Sequence, residues 1–164
     1  MESKSKVVTL DYSEVVRKEI ELLASESDAE FTFRFLHRDD IKLGHLKVLS
    51  QLTIAPEVSD LAYQARWDEL FATPLQDHYR VVVILDKALN TIVGSGTLFI
   101  EKKFLRQCGV CGHIEDIAVD SGYRGKKLGI RLIKMLKEVS QLHNCYKIVL
   151  DCSDKNVPFY EAVS

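Results

Sequence analysis

Residues 119–130 read VDSGYRGKKLGI: a strand end, a glycine-rich basic turn and a helix start. A helix N-terminus offers unpaired N–H groups and the positive end of its dipole. Glycines let the backbone approach an anion closely, so this arrangement suits a phosphate or pyrophosphate. Arg124, Lys126 and Lys127 add positive charge. The P-loop pattern GxxxxGK followed by Ser or Thr is absent, as is the dinucleotide pattern GxGxxG. A charged turn that caps a solvated helix accounts for the same residues. Just upstream stand two adjacent carboxylates, Glu115 and Asp116. A positioned carboxylate can take a proton from a reacting group. Successive side chains of a strand face opposite sides, however. Both reach one pocket only if the strand bulges; without a bulge they read as a solvated edge pair.

Cys108 and Cys111 form a CxxC pair within CGVCGH. Haem attachment is excluded because Gly112 separates the second cysteine from His113. Zinc binding by spacing needs a second ligand pair, and Cys145 and Cys152 do not supply one. A redox pair belongs at a helix start, whereas this one precedes a strand-like run. The expectation is a tight hairpin loop of small residues, with the four cysteines as free thiols. His37, His45, His78, His113 and His143 show no metal-ligand spacing, so no metal is expected.

The elements that must position these groups follow from hydrophobic periodicity. Residues 12–24 carry a ragged apolar stripe of a helix, either a frayed arm or one that docks. Residues 31–36 alternate as a strand. Asp39 or Asp40 is expected to cap a helix running to Thr53, and Pro56 to open another reaching about Thr73. Strands are expected at 80–85, 92–102 and 112–119. A strongly amphipathic helix covers 127–143, with Leu128, Leu132, Leu136, Val139 and Leu142 on one face. A short strand at 147–152 and a helix at 157–163 follow. Strands in a row before a strand–helix–strand unit predict an α+β fold with a mixed, mostly antiparallel sheet flanked by helices.

At 164 residues the chain fits one domain. The net charge of -2 gives no basic surplus, so nucleic acid is not an expected partner. No apolar run of eighteen residues is present, so no membrane span is expected, and the N-terminus lacks the apolar centre of a signal peptide. These features predict a cytoplasmic protein.

The string Arg124-Gly125-Lys126-Lys127-Leu128-Gly129 resembles the acetyl-CoA pyrophosphate loop of GNAT acetyltransferases, Gln/Arg-x-x-Gly-x-Gly/Ala. Lys127 stands where that pattern has its middle glycine. HIEDIAV at 113–119, NCYKI at 144–148 and the NV-x-FY string at 156–160 resemble the glucosamine 6-phosphate N-acetyltransferase family, over about residues 31–161. The resemblance implies a GNAT-like α/β arrangement of residues 31–164 behind a polar, partly helical extension at 1–30. In that family a further strand follows the last helix, and the resemblance implies that residues 31–164 lack it. It also implies a homodimer.

The implied activity is transfer of acetyl from acetyl-CoA to the amine of D-glucosamine 6-phosphate, by direct attack in a ternary complex, within UDP-GlcNAc biosynthesis. The implied coenzyme contacts are Ile117, Ala118 and Val119 on the strand, Arg124, Gly125, Lys126, Lys127, Leu128, Gly129 and Ile130 at the turn, and Asn156 and Tyr160 beyond. The implied substrate contacts are Thr53, Lys103, Glu115, Asp116 and Asp151. Among catalytic groups, Asp116 is the nearer candidate for removing the amine proton, with Glu115 beside it, and Tyr160 donates to the departing thiolate. Two other readings stay open on the sequence: acetylation of a protein or peptide amine, and a non-catalytic acetyl-CoA-binding domain.

Overall fold

The β-branched run Val81-Val82-Val83-Ile84 is enclosed on both sides, as a strand covered on both faces requires. It lies in β2 (Tyr79–Asp86), which pairs antiparallel with β1 (Phe31–Phe35) and β3 (Thr91–Lys102). β4 (Val110–Val119) pairs antiparallel with β3, and β5 (Cys145–Leu150) joins β4 in parallel. The sheet order is β1-β2-β3-β4-β5, so the mixed, mostly antiparallel sheet expected from the sequence is present. This computed structural model describes residues 12–55 and 57–161.

Alternation of side chains sorts the strands into two cores. Val82, Ile84, Leu98, Ile100 and Ile114 enter one, and Val81, Val83, Ile92 and Ala118 the other. Helices α1 (Tyr12–Glu26) and α5 (Leu128–Leu142) cover the first. Leu23 of α1 and Leu128, Leu132, Leu136 and Val139 of α5 fill it. Helices α2 (His45–Leu49) and α3 (Asp60–Phe71) cover the second with Val48, Trp67 and Phe71.

α1 docks. Its Glu19 is fully buried and accepts a hydrogen bond from Arg80 Nε at 2.8 Å, with His143 Nε2 2.6 Å away. A charge buried this way is tolerated because it is paired and hydrogen-bonded.

Several boundaries differ from expectation. The helix expected from Asp39 or Asp40 to Thr53 is broken by Gly44, whose φ of 89° no continuing helix adopts. A 3₁₀ turn, Asp40–Leu43, precedes the break, and α2 follows it. The Asp40 carboxylate caps nothing: it accepts from Arg34 at 2.7 and 2.9 Å and from the His37 N–H at 2.7 Å. α3 begins at Asp60 behind Ser59, whose side chain accepts from the Ala62 N–H; Pro56 lies outside the described residues. β5 starts two residues early, leaving Asp151 past its end. The β3–β4 connection is one turn, α4 (Leu105–Cys108), with Arg106, Gln107 and Cys108 at φ of 56°, 57° and 60°. Cys111, expected in a hairpin loop, is therefore a strand residue, and β4 begins two residues before the expected Gly112. α6 (Val157–Glu161) carries the described part of the last helix. Among the described residues, no helix is long and apolar enough to cross a membrane.

Candidate active site

The strand bulge that the carboxylate pair required is present. Ser95 stands opposite Ala118 and Thr97 opposite Glu115, so three steps along β4 match two along β3. Asp116 takes φ 53° at this point, a left-handed conformation that non-glycine residues adopt at a cost of about 1–2 kcal/mol. The extra residue resets the alternation of side chains. Ile114 and Ile117 both pack on the α5 side, while Ala118 enters the core under α2 and α3. Glu115 and Asp116 are both exposed. Glu115 shares a face with its register partner Thr97, and Thr97 and Asp116 line one cavity of about 560 Å³ beneath α2 and α3.

Gly96 lies opposite the bulge. A Cβ there would stand 2.6 Å from Ile117 Cδ1 and 3.0 Å from Leu136 Cδ1. The bare backbone makes room for Ile117 to turn toward α5.

β4 and β5 pair only as far as Ile114 and Leu150. β4 then runs on to Val119 without a β5 partner, leaving its backbone edge open. A groove of about 560 Å³ fills the gap, lined by Ile117 and Val119, by residues of the 123–130 turn, and by Asn156, Phe159 and Tyr160. The turn delivers α5 end-on to this groove. Gly125 adopts φ 84° with open space around it, and Lys127 adopts φ 58° at the helix N-cap, with no side chain capping the helix start. Lys127 thus takes the left-handed conformation that a glycine would take there. The first N–H groups of α5 have no partner within the helix. With Arg124 and Lys127 beside them, they offer a seat for an anion. Tyr123 moors the turn by donating to Asp86 Oδ2 at 2.7 Å, which pushes its phenol up to about 12.

Of the expected coenzyme contacts, Ile117, Val119, Arg124, Gly125, Lys127, Leu128, Gly129, Ile130, Asn156 and Tyr160 share this groove. Ala118 and Lys126 do not line it. The Ala118 side chain is buried on the opposite face, and Lys126 pairs with Glu30 at 2.5 Å. Tyr160 is half-buried, and burial raises its phenol above the usual value, the nearby Cys152 adding to the effect.

The expected substrate contacts are dispersed. Asp116 lines the second cavity, Thr53 is exposed in the segment between α2 and α3, and Asp151 is exposed beyond β5. Lys103 donates to Glu101 Oε1 at 2.7 Å, past the far end of β3. It follows Thr97 by six residues, roughly 20 Å of strand.

The second cavity also holds residues that sequence reasoning missed. His45 Nδ1 is 2.8 Å from the Tyr63 hydroxyl, and its Nε2 is 3.0 Å from Ser95 Oγ. Burial lowers the imidazole to about 4. The signal for Ser95 and Thr97 lay in their alternation with glycines in a strand; nothing local marks His45 or Tyr63.

The chain matches the acetyltransferase (GNAT) family over residues 49–163. It is 45% identical over 139 residues to glucosamine 6-phosphate N-acetyltransferase 1 of Dictyostelium discoideum, covering 85% of this chain and 87% of that protein. It is 40% identical over 131 residues to the Candida albicans protein named glucosamine 6-phosphate N-acetyltransferase, covering 80% and 86%. The crystal structure of glucosamine-6-phosphate N-acetyltransferase from Arabidopsis thaliana superposes with a TM-score of 0.77 at 39% identity, covering 81% of this chain and 89% of the other.

Proposed function

The chain belongs to the acetyltransferase (GNAT) family, and we propose that it transfers acetyl from acetyl-CoA to the amine of D-glucosamine 6-phosphate, releasing N-acetyl-D-glucosamine 6-phosphate and CoA. The observation that carries this reading is the bulge at Asp116, which turns that carboxylate toward one cavity and the next residue, Ile117, toward another. The relatives' substrate supports the choice of acceptor.

The groove fits the cosubstrate: an uncapped helix start, two residues at positive φ and flanking cations suit its pyrophosphate, and an open strand edge suits an amide-bearing arm. Arg124 and the amides following Lys127 hold the pyrophosphate. The β4 edge from Ile117 to Val119 orients the arm and aims the thioester at the bulge. Asp116 takes a proton from the substrate ammonium, because only the neutral amine attacks a carbonyl. Glu115, on the face of Thr97, helps to hold the sugar. Tyr160 donates to the sulfur as negative charge develops there. Its raised pKa keeps that proton in place across the neutral range. Attack is direct, with both substrates bound.

Lys103 and Asp116 act on one substrate when a second copy of the chain supplies the lysine, since the strand holds them apart within one copy. We therefore propose a homodimer. The four free cysteines fit a reducing, cytoplasmic setting.

Release of free thiol from acetyl-CoA, with and without glucosamine 6-phosphate, tests the reading. Release that depends on the amino sugar supports it. Acetyl-CoA binding with no release on glucosamine 6-phosphate overturns it, and release with a lysine-bearing peptide in its place assigns a different acceptor.

A further inference from the structure

The cysteine pair that the active site leaves unused brings together a second set of groups. Cys111 stands opposite Glu101 in the β3–β4 register, so the two side chains share a face. His113, two residues along the strand, shares that face as well. A carboxylate oxygen of Glu101, Sγ of Cys111 and a ring nitrogen of His113 all lie within 4.8 Å of one another. His113 Nε2 is 2.9 Å from Glu101 Oε2. Cys111 is fully buried, and its thiol makes a long, 3.7 Å contact to the Gly112 carbonyl. Glu101 and His113 are partly exposed, so the cluster is open on one side.

We propose that Glu101, Cys111 and His113 form a binding site for one divalent transition ion of zinc's class, with water in the remaining position. Thiolate, imidazole and carboxylate are the three donor types that zinc takes, and three protein ligands with one open position is an established way to hold it. Ligand atoms 2.0–2.3 Å from a tetrahedral ion stand about 3.5 Å apart. A 4.8 Å span therefore needs at most about 1.3 Å of closure, the difference between 4.8 and about 3.5 Å. Two of the donors are fixed by a paired strand, which limits the reorganisation binding requires.

The other cysteine of the pair is no part of the set. Cys108 is exposed in the left-handed turn α4, whereas Cys111 points into the sheet face. Spacing along the chain relates Cys111 to Cys108, whereas pairing across the sheet relates it to Glu101.

Lys103 is the competitor. Its ammonium donates to Glu101 Oε1 at 2.7 Å. An ion that takes Glu101 displaces this ammonium. Binding sends the Cys111 thiol proton to solvent and breaks the Lys103–Glu101 pair. None of this depends on the transferase reading.

The test is titration of Co²⁺, a spectroscopic substitute for zinc, into the full chain. The expected result is one ion per chain, with a thiolate-to-cobalt charge-transfer band and the intense visible bands of a four-coordinate ion, all removed by one equivalent of Zn²⁺. His113→Gln weakens binding by more than about 100-fold, beyond the loss of a merely supporting contact. Cys111→Ser abolishes the charge-transfer band, and Cys108→Ser leaves it intact. Circular dichroism checks the fold of the buried Cys111→Ser variant, while His113→Gln gives an independent reading at a partly exposed position. No stoichiometric binding by the unaltered chain overturns the proposal. So does a band that survives Cys111→Ser or disappears with Cys108→Ser.

Discussion

Asp116 and Ile117 are adjacent in the chain and line different cavities on the two faces of one sheet. The extra residue of the β4 bulge makes this possible, because a regular strand places Asp116 on the same face as Ile114. A carboxylate and the end of the groove beside α5 are thus held one peptide unit apart on a paired strand. Position set by a sheet is more precise than position set by a loop.

Asp116→Asn keeps the size of the side chain and removes its basicity. The expected loss in kcat at neutral pH is roughly 10²–10⁴-fold, the usual range for a positioned acid or base. The loss shrinks as pH rises and the amine deprotonates unaided. A pH profile of kcat that parallels the unaltered enzyme at every pH sinks the base role.

Tyr160→Phe removes one hydroxyl at the groove beside α5. A fall in kcat of about 100-fold with little change in KM for acetyl-CoA is expected, since the donor acts on charge that exists only in the transition state. A rise in KM with unchanged kcat would instead make Tyr160 a binding residue.

Gly96→Ala places a methyl 2.6 Å from Ile117 Cδ1. Overpacking of this kind destabilises by about 1–3 kcal/mol. Denaturant unfolding measures it. Activity is expected to fall further than stability alone explains, because the displaced side chain lines the groove. Unaltered stability and activity would show that Ile117 moves aside without consequence.

His45 predicts an acid limit. Burial lowers its folded pKa to about 4, from an ordinary value of 6.5, with the nearby Asp40 partly opposing the shift. The unfolded chain therefore binds more protons between these values, and stability present above about pH 6.5 is lost as pH falls toward 4. The linkage amounts to about 3 kcal/mol. Unfolding free energy measured from pH 7 to 4 is expected to fall more steeply for the unaltered chain than for His45→Phe. Parallel slopes would remove His45 from the account.

Mixing subunits tests the shared site. Lys103→Ala and Asp116→Asn proteins, each inactive alone, are expected to recover about a quarter of full activity when unfolded and refolded together, because half of the two-fold dimers are mixed and each mixed dimer has one intact site. No recovery would mean that Lys103 and Asp116 do not serve one site from two chains.

Much of this was legible in the sequence. The amphipathic stripe of α5 and the VDSGYRGKKLGI turn announce a helix that starts behind a glycine-rich basic turn, because both signals are local. The strands expected at 80–85 and 92–102 fall within β2 and β3. Helix interruptions were harder. Gly44 sits among leucines spaced every three residues, and only its φ of 89° shows that the period continues across a break. Lys127 was read as a departure from a glycine pattern, yet its backbone takes the conformation that glycine would. Side-chain type alone does not reveal φ.

By itself, then, the sequence determined the order of the main elements, the glycine-rich basic turn before α5 and the family, since these rest on periodicity and on contiguous strings. Tertiary structure alone decided which side chains meet. The bulge at Asp116, the His45–Tyr63–Ser95 chain of hydrogen bonds and the Glu101–Cys111–His113 cluster all join residues whose proximity comes from strand register or from packing between elements. Register is set by the burial of a whole sheet face, so no single residue or local spacing records it.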